Sequence, residues 1–358
     1  MNPTTDVGQH GPPTQGTPQA PTPPHRRRWV PGLLRQRSVQ IALAGWAAAN
    51  LVMLTLADAT LPFDRPALAD RSVTQQVLEA NLALLEVLLL IGVTYWLTRN
   101  RTTPDVAARA PQRALALRET LLLLGYGVLG QLGGLLLGRL LGWHPFGFHL
   151  PGTLFGAHEM VPAAEAIAWA GYNFTVYAIV PYMLFRRRYS AEALNLTSTD
   201  RRNDLLVIVG VLAIEAAFEL SALGADIVQL TARQLLLGVP LTFLLYFVGT
   251  VLPAMVFIYC ILVPRYLKLT GSVATTVLLG GVTYMLAHVY DAWTAFGSAR
   301  DALLSVAFLL FLYVGPGMIK TVLTLRTGNA WVHVWAYHAL APHTLQDTPL
   351  LVKVFRIR

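Results

Sequence analysis

Apolar runs of roughly 18 to 24 residues recur along this chain, near residues 39–57, 77–97, 119–138, 163–185, 204–222, 239–262, 273–290 and 302–319. Each is long enough to cross a hydrocarbon core of ~30 Å as a helix. They predict an all-α, polytopic transmembrane helix bundle of eight spans, and a weaker apolar stretch at 329–345 would make a ninth. Charged residues are only 13% of the chain, about half the ~25% of an ordinary soluble domain. The single cysteine, Cys260, excludes an intrachain disulfide.

The net charge of +8 reads as membrane orientation and not as nucleic-acid binding. With the N-terminus inside, nineteen Lys and Arg fall at or near the cytoplasmic ends of the runs and five on the opposite side, Arg65, Arg71, Arg139, Arg233 and Arg300. That asymmetry is the positive-inside pattern, and it predicts a multi-pass protein of the inner (plasma) membrane with a cytoplasmic N-terminus. Residues 1–30, rich in Pro, Gly, Gln and Thr, bury too little apolar surface to order themselves and read as a disordered cytoplasmic tail. Residues 31–190 form the N-terminal transmembrane helices, 191–345 a second transmembrane core, and 346–358 a basic C-terminal tail.

Several features have plain structural readings. Gly130, Gly134 and Gly138 are spaced for close helix packing within one monomer. Trp46, Trp96, Trp143, Trp169 and Tyr189 lie near span ends, where aromatic residues anchor at the interface. His144, His149 and His158 fall in a Pro- and Gly-rich loop, 144–162, and are expected to face solvent.

Ionisable groups at membrane depth are expensive and mark candidate sites. Glu86, Glu215, Glu219, His288 and His338 are the notable ones. Glu215 and Glu219, four apart, share a helical face, and Asp291 lies three residues beyond His288. His333, His338 and His343 repeat every five residues, which on an α-helix advances ~140° each time and keeps the three off one face. His288 and His338 with one carboxylate from Asp291, Glu215 or Glu219 would give two nitrogens and an oxygen, a ligand set suited to catalytic zinc. The helix Leu252–Gly271, by contrast, carries no acidic residue.

From about residue 184 onward the order of segments resembles the CPBP (CAAX-protease and bacteriocin-processing, or Abi) family of intramembrane metalloproteases. LFRRRYSAEALNL resembles the stretch before that family's core. VFIYCILVPRYLKLTGSVATTVLLGGVTYMLAHVYD resembles its first two core helices, with Tyr284-x-x-x-His288 in the place of Phe-x-x-x-His. FLLFLYVGPGMIKTVLTLRTGNAWVHVWAYHALA resembles its last two, with His338 in the place of the final motif's histidine. The resemblance implies a CPBP-like core over 191–345, histidines that hold a metal or an oxyanion, and hydrolysis of a peptide bond near a membrane helix end. The first motif, Glu-Glu-x-x-x-Arg, is absent: its positions read Ala254, Met255 and Tyr259, and the final motif ends at Pro342 in place of Asn. Neither alanine nor methionine can act as a general base.

Three function classes follow. The chain is an intramembrane metallopeptidase with Glu215, Glu219 or Asp291 as a compensating carboxylate; a catalytically inactive relative that binds a membrane-embedded peptide or a protein partner; or a transporter whose polar path includes Glu86, Glu215 and His288.

Overall fold

Every apolar run is helical in the computed structural model, which describes residues 29–57, 61–66 and 71–358. The Pro-rich stretch at 1–28 lies outside the described residues. Among the described residues, a short helical turn at Trp29–Leu34 is followed by nine longer helices: α1 (Arg37–Leu56), α2 (Val73–Leu97), α3 (Arg113–Leu141), α4 (163–186), α5 (Arg201–Leu223), α6 (Ala232–Thr270), α7 (Val273–Leu286), α8 (Ala299–Thr327) and α9 (330–354). No strand occurs among the described residues. Five of these helices, α1, α2, α3, α6 and α8, are long and apolar enough to cross a membrane. Their outward faces expose Leu and Ile, as at Ile41, Leu85, Leu129 and Leu140. Apolar helices of this length make the chain a membrane-embedded protein.

α6 is the axis of the bundle. It is apolar on all sides, which is the pattern of a helix surrounded by others, and Ala254 through Tyr266 are all buried. Its 39 residues span ~58 Å, so it extends well past the run at 239–262. Pro253 lacks an N–H to donate, and π-helical turns at Phe247–Val251 and Met255–Leu262 bracket it. α3 and α4 pack on one side of α6, and α7 and α9 on others. The N-terminal helices are thus interleaved with the later ones. Residues 346–354 are helical, and Leu351 and Val352 are buried where α9 meets α6.

Small residues set the closest crossings. On α8, a Cβ at Gly317 would sit 2.7 Å from Gly281 Cα on α7, so the two helices touch backbone to backbone. That approach brings the Lys320 ammonium 3.6 Å from the centre of the Tyr284 ring. The stripe on α3 packs inside the chain, as expected: Gly130 faces Val176 and Tyr177 on α4, and Gly134 faces Phe146. At the arginine-rich end, Arg101 binds Asp204 and the Thr327 carbonyl, and Arg326 binds Thr98. Two of the cations counted toward the basic side are buried inside the bundle, Arg265 on α6 and Lys320 on α8.

A candidate metal centre beside an internal cavity

α7 ends at Leu286, and the turn after it carries His288 and Asp291 into the protein interior. His288 Nδ1 lies 2.9 Å from Asp291 Oδ2. The third member is His149, whose Nδ1 is 3.4 Å from the same oxygen. Tyr313 Oη closes the group, 3.0 Å from His149 Nδ1 and 3.1 Å from Asp291 Oδ2. The other carboxylate oxygen, Oδ1, accepts the backbone N–H groups of Phe148 and His149 at 2.9 and 3.0 Å. Asp291 is therefore fixed by bonds from both its own turn and the 144–162 loop.

His149 differs from the expectation of a solvent-facing loop histidine: it is buried. The loop is drawn into the bundle because buried donors reach for its carbonyls. Trp169 Nε1 and Asn173 Nδ2 donate to Gly147 O at 2.7 and 2.8 Å, and the Thr250 hydroxyl donates to Phe148 O at 2.6 Å. Trp169 is accordingly a buried strut and not an interface anchor. Gly147 is required here, since a Cβ would lie 2.8 Å from Asp291 Cα. Burial pushes the His149 ring toward its neutral form, against the pull of Asp291.

His149, His288 and Asp291 each offer a ligand atom, all within 4.8 Å of one another. Donors around a tetrahedral zinc stand ~3.3 Å apart, given metal–ligand distances of ~2.0–2.1 Å, and the gaps of 2.9 and 3.4 Å to Asp291 bracket that value. The donor set and its spacing thus suit a divalent metal such as zinc.

His338 sits apart from this group. Its Nε2 lies 3.1 Å from Tyr284 Oη, and Tyr284 also meets His288 edge to face, with ring centres 4.8 Å apart. Tyr284 thus stands between the two histidines. Consecutive members of the five-residue repeat do pack together, with ring centres 6.1 Å apart for His333 and His338 and 5.3 Å for His338 and His343. The reason is local: Val334–His338 and Leu340–Leu345 are π-helical, with Ala339 N donating to Val334 O five residues back. The wider turn carries residues five apart toward one side. Tyr259 faces His333 with ring centres 4.2 Å apart; Ala254 and Met255 are packed in apolar surroundings.

A cavity of about 480 Å³ joins these elements. Its lining includes His149, Tyr313, Tyr284, His338 and His343 together with Glu86, Glu219 and Lys320. Glu219 accepts from Gln346 Nε2 at 2.5 Å. Glu215, on the same face of α5, is buried near Glu86 and Lys320.

His144, at the outer end of the same loop, holds Glu165 with Nδ1 at 2.8 Å and Glu159 with Nε2 at 2.9 Å. Partial burial disfavours its charge, but the bonds to the two glutamates outweigh this and raise its pKa above the ordinary value. A raised value means that the charged ring stabilises the fold fully below about pH 6.5, and that the contribution is lost as pH rises through the folded value. Melting temperature is expected to fall from about pH 6 to about pH 9 more steeply in the wild type than in His144→Gln. Parallel curves would show that the pair of glutamates does not stabilise the loop through this charge.

Neither a protein-family model, nor a curated protein, nor a solved structure matches the chain.

Proposed function

We propose that this chain is an integral membrane metallohydrolase with a CPBP-like core and a reorganised site, cutting a peptide bond in a membrane-embedded substrate. The observation that carries this reading is the buried His149–His288–Asp291 group, of which His149 lines a ligand-sized cavity. Eight crossings with a cytoplasmic N-terminus in the plasma membrane complete the proposal, supported by the helices and by the distribution of Lys and Arg.

His149, His288 and Asp291 would hold the metal. A bound zinc supplies Lewis acidity and lowers the pKa of a water molecule toward neutrality. Asp291 is itself held in place by two backbone N–H groups, which bond its other oxygen, Oδ1. Glu219 lines the cavity together with Glu86, and it takes the role of general base that alanine and methionine cannot fill on α6. Tyr284 and Lys320 line the cavity, and their hydroxyl and amine groups can donate hydrogen bonds to a substrate carbonyl oxygen.

One observation favours a second reading, a non-cutting protein that binds a membrane segment: His338 Nε2 is already engaged by Tyr284. Cleavage of membrane-spanning peptides in proteoliposomes separates the two. The hydrolase reading expects cleavage that chelation abolishes and zinc restores, and a rate ~100- to 10,000-fold lower in Glu219→Gln. Cleavage that survives chelation, or full activity in Glu219→Gln, overturns that assignment. Bound zinc without cleavage of any membrane segment supports the binder.

A further inference from the structure

A second cleft lies on the outside of the bundle, between α3 and α4 at the arginine-rich end, with a volume of about 350 Å³. That is within the ~300–1,000 Å³ range of ligand-sized clefts. Its sides are apolar, formed by the exposed Leu122 and the half-buried Tyr126 on α3 and by the exposed Leu184 and the half-buried Phe185 on α4. The polar groups there are already engaged. Tyr126 donates to Val176 O at 2.8 Å, Tyr189 donates to Glu119 Oε1 at 2.7 Å, and Arg265 occupies Glu119 Oε2. Nothing along these sides calls for a polar ligand.

The rim is the opposite. Arg187 and Arg188 border the cleft and are exposed, and neither side chain has a hydrogen bond or an ion pair with the described residues. Arg118, four residues before Leu122, adds a third exposed cation on the same face of α3. An apolar slot opening toward lipid, crowned by unpaired arginines at the headgroup level, matches one kind of molecule in chemistry and in position. Clusters of Arg and Lys beside membrane helices recruit anionic lipids.

We infer that this cleft binds an anionic phospholipid, with part of an acyl chain against Leu122, Tyr126, Leu184 and Phe185 and the phosphate on Arg187 and Arg188. The inference stands on the cleft and its rim alone and does not depend on the metal centre.

Native mass spectrometry of the full-length protein in detergent tests it with phosphatidylglycerol, phosphatidylcholine and free glycerol phosphate as probes. Phosphatidylglycerol is expected to stay bound where phosphatidylcholine does not, and glycerol phosphate is expected not to compete. Arg187→Gln with Arg188→Gln should weaken phosphatidylglycerol about thirty-fold, from two cations at the membrane surface. Arg201→Gln with Arg202→Gln removes the same charge from the start of α5 and should leave binding unchanged. Leu184→Trp fills the slot without changing charge and should also reduce binding. Equal loss in the two double variants would reduce the effect to general surface charge and overturn the site. Retention of phosphatidylcholine, competition by glycerol phosphate, or full binding in Leu184→Trp would overturn it as well.

Discussion

Zinc content is expected to separate His149, His288 and Asp291 from His338. Wild-type protein purified in detergent and equilibrated with zinc should hold a single ion per chain. His149→Gln, His288→Gln and Asp291→Asn should each weaken that binding by more than ~100-fold, since groups that merely orient ligands already cost ~10- to 100-fold. His338→Gln should retain the ion, because His338 bonds Tyr284 and stands outside the three-ligand group. The same experiment reads out as stability: zinc at 100 times its dissociation constant adds ~2.7 kcal/mol to a protein that binds it only when folded, so the wild type and His338→Gln should melt higher with zinc while the other three do not respond. The competing account is a carboxylate satisfied by hydrogen bonds alone. That account explains the bonds to Asp291 equally well, so zinc content is the measurement that decides between the two. Zinc retained in His149→Gln and lost in His338→Gln would reinstate the His288–His338 pair read from the sequence. Negligible zinc in the wild type would remove the metal centre altogether.

The parts of this molecule that were legible in the sequence are those governed by local chemistry. Apolar length placed the helices, because a membrane helix must satisfy its own backbone and present apolar side chains to lipid. The i,i+3 spacing of His288 and Asp291 also pointed to a contact, although the contact forms in a turn beyond the end of α7. His149 was not legible. Its recruitment depends on Trp169, Asn173 and Thr250, which come from two different helices and act on carbonyls of neighbouring residues. The only available signal was an aromatic and apolar run, Phe146 to Leu150, inside a loop that should otherwise be polar. The spacing of His333, His338 and His343 misled for another reason: angular arithmetic assumes α-helical turns, and these turns are π-helical. Charge counting likewise treated Lys320 and Arg265 as loop residues, and both are buried in the bundle. Burial of a cation depends on what is packed around it, and that is a tertiary fact.

Arg265 shows what such burial requires, and it supports the second large effect expected here. Its guanidinium is 1% exposed. Nε and Nη2 both donate to Glu119 Oε2, at 2.8 and 2.6 Å, and Nη1 donates to Ile261 O at 2.7 Å. The planar group also lies against the rings of Phe185 and Tyr189, 4.7 and 4.9 Å from their centres, and Tyr189 donates to the remaining oxygen of Glu119. The pair fastens α3 to α6 with its hydrogen-bonding capacity largely used. Removing one partner leaves the other charge buried without compensation, so Glu119→Ala and Arg265→Ala should each destabilise by ~3–5 kcal/mol. Replacing both at once is a different experiment. Glu119→Leu with Arg265→Met fills the same space with apolar groups and removes both desolvation costs, so it should lie near the wild type or above it. Denaturant titration in detergent micelles measures all four proteins, and the double change should be far smaller than the sum of the single ones. Single variants near wild-type stability would mean that water reaches the pair. A double variant as unstable as the singles would mean that the ion pair specifies how α3 docks on α6, beyond filling the space between them.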